Sequence, residues 1–327
     1  MQPTAVPHPQ QAAYDDLLGQ WSDLEAGLAT LLTRPLEAAE FARKVRQYDR
    51  WMQDLLAHDM DTGLYLLYQL AANRSLGYSS AHALVCAVLC HVLAEELGLP
   101  PAERDSLVGA AMTMNLAMTA LQNRLAEQSE PPSAEQRALI AGHSETGSLL
   151  LAQLGVADAL WLQAVAMHHT PAPAAPLQTL APAQRLAHAL QVVDRYAAMI
   201  SPRKTRAARS VIETVRAMLG RNEGRREAVG MALVRAVGLC PPGSFVRLDT
   251  GETALVLRRG KEPNRPLVAA VLGRNGERLR TPRLLRAGDA GPAIQLALTP
   301  EILRNRLRLN HPSLLRQALQ AERTHGG

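Results

Sequence analysis

Four imidazoles and one carboxylate in the middle of the chain could form a metal centre. They are His82, His143, the adjacent pair His168–His169, and Asp194. Neutral imidazole together with carboxylate suits Fe, Mn or Zn. Asp194 sits in the largely apolar run Leu190-Gln191-Val192-Val193-Asp194-Arg195-Tyr196-Ala197-Ala198-Met199. A carboxylate buried there without a partner would cost several kcal/mol, so it needs histidines or a metal ion beside it. Taken singly, each histidine reads more readily as a hydrogen-bonded core or surface residue than as a ligand, and no close spacing motif joins the set. His82, Cys86 and Cys90 recur every four residues and so share one helix face. A straight row of that kind does not wrap one tetrahedral ion. Cys86 and Cys90 therefore read as core packing.

A second group suits an anion. Ser201-Pro202-Arg203-Lys204-Thr205-Arg206 follows the Asp194 segment. The guanidinium forks of Arg203 and Arg206 match phosphate oxygens, and they precede a helix start, where the backbone dipole favours negative charge. The same residues read equally as an ordinary cationic loop. Charge is also unevenly spread. Residues 1–200 carry 11 Lys/Arg against 20 Asp/Glu, whereas residues 201–327 carry 24 against 10, giving −9 and +14. A basic segment seeks phosphates or an acidic protein partner. Nucleic acid is the weaker expectation, because Phe245 is the last aromatic residue and leaves nothing else for bases to stack on.

The elements that must position these groups are mainly helical. The 327 residues are 47% hydrophobic but only 3% aromatic, so the core is Leu, Ala, Val and Met, as in a helical bundle. Three cysteines exclude a disulfide framework. No secretory signal pattern is read at the start, and the least polar run, Leu107 to Leu121, falls short of the roughly 20 apolar residues of a membrane span. A cytoplasmic protein without a membrane segment is the expectation. Residues 1–11 read as a disordered tail and 12–75 as an N-terminal helical region. Leu17, Trp21, Leu24, Leu28 and Leu31 form one stripe there, for this chain or for a homodimer. Helices are expected over Pro35–His58, Asp61–Asn73, Ser79–Gly98, Ala102–Glu127, Ser133–Gly155, Asp158–His169, Ala183–Ile200, Thr205–Leu219 and Arg225–Val237. After Pro241-Pro242-Gly243 the period changes to two. The basic region 241–327 reads as a β-hairpin or three-stranded appendage, an Arg-rich segment and a short helix from about Pro300.

Read together, several segments resemble the HD-GYP family, a branch of the HD phosphohydrolases that hydrolyse cyclic di-GMP. They are His82-Ala83-Leu84, Gly109 to Met118, Gly142-His143-Ser144-Glu145-Thr146-Gly147, His168–His169 and Val193 to Met199. The resemblance covers about residues 76–240 and implies a helical bundle of HD-domain type. It implies that His82, His143, His168, His169 and Asp194 are metal ligands for one divalent ion, and that Arg203 and Arg206 contact a cyclic dinucleotide. It also implies degeneracy. Met114–Asn115 stands where the family has its His-Asp pair, Met118 stands where a lysine usually follows, Tyr78 replaces the glutamate of three-metal members, and the Gly-Tyr-Pro signature is missing. An Asn oxygen is a poor bridge between two dications, and a two-metal hydrolase needs its ions about 3.5–4 Å apart. No catalytic residue is therefore expected. The implied function is recognition of cyclic di-GMP or a related nucleotide, with signalling through a partner; a phosphodiesterase with an altered metal site is the alternative.

Overall fold

The computed structural model describes residues 9–72, 77–171, 175–201, 226–260, 265–288, 291–298 and 309–325, with the single positions 262, 303 and 307. Arg203, Arg206 and the helix expected over Thr205–Leu219 lie outside these residues, as does most of the disordered tail expected over 1–11.

The chain is mainly helical, with a small antiparallel sheet near its C-terminus. Helix α1 (Pro9–Thr33) buries Leu17, Trp21, Leu24, Leu28 and Leu31. That stripe is used within the chain, against α2 (Phe41–His58) and α4 (Tyr78–Glu96). Pro35 starts only a 3-10 turn, Pro35–Glu37, not the long helix expected from it. The chain turns again at Glu40, whose φ of 53° is left-handed, before α2 begins. Helix α3 (Met60–Ala72) follows.

Helix α4 is buried along almost its whole length and forms the axis of the bundle. By length and composition it is apolar enough to cross a membrane, and 94% of its apolar window is buried inside the protein. Its N-cap is Gly77, not Ser79 or Ser80. Those serines lie inside the helix, where Ser79 Oγ donates to Gln122 Oε1 at 2.7 Å.

The single helix expected over Ala102–Glu127 is broken. It forms α5 (Pro101–Thr113), a 3-10 turn at Leu116–Met118, and α6 (Thr119–Glu127). Helix α7 (Ala134–Gln153) starts at a full capping box: Ser133 Oγ accepts from Gln136 N at 3.1 Å, and Gln136 Oε1 accepts from Ser133 N at 2.9 Å. Helix α8 (Ala159–Met167) is capped by Asp158, which accepts from Trp161 N at 3.1 Å. Helix α9 (Pro182–Ile200) is anchored to α5 by a bidentate pair, Arg185 Nη2 lying 2.7 and 2.8 Å from the Glu103 carboxylate oxygens. Helix α10 (Arg226–Val237) completes the bundle.

Five strands follow where three were expected: β1 (Phe245–Leu248), β2 (Thr253–Arg258), β3 (Leu267–Leu272), β4 (Arg278–Arg286) and β5 (Ile294–Leu298), in the order β4-β3-β2-β1-β5. The Arg-rich segment is itself an edge strand, pairing Leu284 with Ala269 and Leu285 with Val268. Alternation divides the sheet into two faces. Phe245, Leu255, Leu257, Leu267, Ala269 and Val271 join the helical core. Val246, Leu248, Ala254, Val256 and Val268 form a second small core with Cys240, over which Leu285 and Ile294 of the two edge strands pack. The described terminal helix, α11 (His311–His325), packs on α1 and β2.

One buried acid works against stability. Asp49 on α2 is 5% exposed, and its contacts are a hydrogen bond from Gln53 at 2.8 Å and the nearby charges of Asp105, Arg104 and Arg50. Burial pushes its carboxyl from 3.8 up to about 6. The folded chain therefore holds a proton that the unfolded chain releases, and stability falls as pH rises from about 4 to about 6, then levels. We expect Asp49→Asn to raise stability at pH 7 by roughly 1–3 kcal/mol and to flatten that slope. Urea unfolding of both proteins at pH 4.5 and pH 7 checks this, and an equal gain at both pH values would refute the assignment.

Candidate functional site

The site is built from the first turns of α4, the middle of α7, the C-terminal end of α8 and the second half of α9. Residues far apart in sequence are brought together by helices fixed at their starts. The Ser133 box sets α7, the Asp158 cap sets α8 and the Arg185–Glu103 pair sets α9. Trp161 locks α8 against α5. Its ring is fully buried, and its Nε1 donates to Thr113 Oγ1 at 2.8 Å. Gly109 leaves the space for that ring, since a Cβ there would stand 2.9 Å from it.

The five expected donors converge on this region, in two groups. In the first, the ring nitrogens of His143, His168 and His169 lie within 4.8 Å of one another. In the second, the same holds for the donor atoms of His82, Cys86 and Asp194. His82 Nε2 is 2.8 Å from Asp194 Oδ1, and Cys86 Sγ is 3.5 Å from His82 Nε2. Cys86, read from sequence as packing only, is thus a neighbour of the donors. Its signal was the four-residue step from His82, but its other partner, Asp194, lies more than a hundred residues away in sequence.

The protonation of the first group is set by the backbone. His143 Nδ1 is 2.6 Å from the Ile140 carbonyl, and His168 Nδ1 is 2.7 Å from the Val165 carbonyl. A carbonyl only accepts, so both rings must carry their proton on Nδ1. Burial lowers both imidazoles below their ordinary range, His168 to about 4, with the neighbouring His169 adding to the effect. Both rings are therefore neutral at pH 7, and each presents a bare Nε2 lone pair. Those two Nε2 atoms stand 3.3 Å apart with no proton to share. Two such lone pairs accept from an outside hydrogen-bond donor or ligate a divalent cation. His169 is exposed and leaves the group open on one side.

Asp194 stands between the two groups electrostatically. Burial alone would raise its carboxyl, but the hydrogen bond from His82 and the fields of His82, His168 and His169 outweigh this and hold it down to about 2. It stays ionised at any ordinary pH. Burial, with the Asp194 charge beside it, drives the Cys86 thiol well above its usual value.

Met114 and Asn115 are buried, at the end of α5. The chain there packs on α7: a Cβ on Gly147, one turn beyond His143, would lie 3.6 Å from the Met114 carbonyl oxygen. The end of α5 therefore packs against α7 one turn beyond His143. Family models, curated proteins and solved structures were all compared with this chain, and none of them matches it.

Proposed function

We propose that this chain is a degenerate member of the HD-GYP type, a signalling protein that recognises cyclic di-GMP without hydrolysing it. The donor set fits one divalent ion. His143, His168 and His169 would hold it, with Asp194 alongside and His82 gripping the carboxylate. When bound, such an ion supplies a positive charge for a phosphodiester oxygen. The protein's own groups do the rest: the carbonyls of Ile140 and Val165 orient the imidazoles, and Asp194 keeps the cleft's negative charge next to them. Arg203 and Arg206 follow α9 in sequence and would take the dinucleotide phosphates.

The observation that supports the noncatalytic reading is that Met114–Asn115, buried at the end of α5, lies against α7 one turn beyond His143. A thioether and an amide there supply no negative bridge between two cations, so a water held and activated by an ion pair has no site. The test is calorimetry with cyclic di-GMP, run beside a phosphodiesterase assay in added Mn or Fe. Binding that weakens in Arg203→Ala, with no linear product formed, is the expected outcome. Turnover that disappears in His143→Ala would overturn it in favour of an active phosphodiesterase. Binding of neither kind would leave a scaffold.

A further inference from the structure

Arginines line the outer edge of the sheet. Arg278, Arg280, Arg283 and Arg286 are exposed along edge strand β4, and Arg274 is exposed in the turn before it. The acid of that stretch, Glu277, is turned into the hairpin, where its carboxylate accepts from Asn275 N at 3.1 Å. Elsewhere in the sheet arginines are used within the fold: Arg258 and Arg259, at the end of β2, meet Asp59, Asp61 and Glu322. On the edge, Arg283 Nη2 lies 2.6 Å from Glu252 Oε1, and among the described residues no acid meets Arg280 or Arg286. The pairing of β4 with β3 slips between Ala270 and Leu272, and a bulge of this kind re-aims side chains from the pleat. Among the described residues, none of the large hydrophobic side chains left exposed lies on β4, and no strand pairs with its outer side.

We propose that the β4 edge binds the phosphate backbone of duplex DNA without reading its sequence. The guanidinium forks match phosphate oxygens, and charge complementarity decides the class of partner. An acidic protein would need an apolar centre to its interface, whereas phosphate-binding surfaces are polar and strongly positive throughout. The edge is of the second kind. Single strands are held by aromatic stacking, and no aromatic residue follows Phe245, so the missing aromatics argue against single strands and leave a duplex open. Duplex RNA is recognised largely through its 2′-hydroxyls, whereas guanidiniums only donate and β4 carries one hydroxyl, on Thr281. Bases are read by a helix or a two-stranded ribbon in the major groove, and a single edge strand backed by its sheet is neither. This surface is distinct from the histidine cleft, which lies among the helices.

The test is fluorescence anisotropy of a labelled DNA duplex of about 20 base pairs with the full chain, from about 50 to about 300 mM salt. Two duplexes of unrelated sequence should bind alike. With roughly three to five guanidiniums on phosphates, log affinity should fall against log salt with a slope of about −3 to −4.5. Arg280→Gln combined with Arg286→Gln should make that slope shallower by about 2 and weaken binding about 10- to 100-fold at the lowest salt. Both sites are exposed, so the double variant should unfold in urea as wild type does. Arg235→Gln, on α10 and paired with Glu96, should leave DNA binding unchanged. No duplex binding at the lowest salt, or an unchanged slope in the double variant, overturns the proposal. So does tighter binding of a single strand, an RNA duplex, an acidic peptide or phosphatidylserine vesicles. Calorimetry with cyclic di-GMP reads the cleft separately, and the double variant should bind it as wild type does.

Discussion

Arg258→Leu should destabilise the protein by about 3–5 kcal/mol, because it strips the partner from buried carboxylates. Arg258 ends β2, and its guanidinium meets three acids from separate parts of the chain. Its Nη1 is 2.9 Å from Asp59 Oδ2, and its Nε is 3.8 Å from Asp61 Oδ2 and 2.5 Å from Glu322 Oε2. Arg259 adds a bond to Asp61 at 2.5 Å and one to the Ala236 carbonyl at 2.8 Å. The cluster thereby joins the turn before α3, the sheet and α11. Burial alone would raise the Asp59 carboxyl, but Arg258 and two bonds from Thr62 outweigh it and hold the group below its usual range. A depressed carboxyl contributes stability above its unfolded value, and that stability is lost as pH falls through the folded value. Wild type should therefore weaken below about pH 4, and Arg258→Leu should be weak already at pH 7 and lose less on acidification. Urea unfolding at pH 7 and pH 3.5 reads both. A change under 1 kcal/mol at pH 7 would show that the cluster is not what joins the sheet to the helices.

Trp161→Ala is the second large effect, again of about 3–5 kcal/mol, from the cavity left by a fully buried indole. The damage should also reach the site. Trp161 fixes α8 to α5, and α8 carries His168 and His169 at its end while α5 ends at Met114. Metal affinity is therefore expected to fall along with stability, whereas Trp161→Phe should recover most of both. The opposite substitution tests the same contact. Gly109→Ala places a methyl 2.9 Å from the indole and should cost about 1–3 kcal/mol by overpacking. If added Mn or Fe binds Trp161→Ala as tightly as wild type, the indole shapes the fold but not the site.

What could be read in the sequence followed local chemistry. Ser133 with Gln136, and Asp158 with Trp161, are caps whose partners lie three residues away, and both helix starts were legible. The α1 stripe and the period-two strands were legible because burial follows a repeat. The break at Met114–Asn115 was not. Residues before and after it are equally apolar, no Gly or Pro marks it, and the turn follows from how α5 and α7 pack. Edge strand β4 was hidden by its arginines, which face water and blur the alternation, and by Pro282 within it. Arginine and proline at an edge also discourage pairing with other chains. The site was legible in its members but not in its division. Five donors could be named from their types, yet only the crossing of α4 and α9 separates His82 from the other histidines and adds Cys86.

The paired phenols of Tyr68 and Tyr196 reach further than their own contact. Tyr68 belongs to α3, and Tyr196 lies two residues past Asp194 on α9, with both hydroxyls sealed from solvent. Helix α9 cannot roll about its long axis without parting that bond in a dry interior. The bearing of the cleft carboxylate is therefore pinned through α3, a segment that contributes none of the five donors.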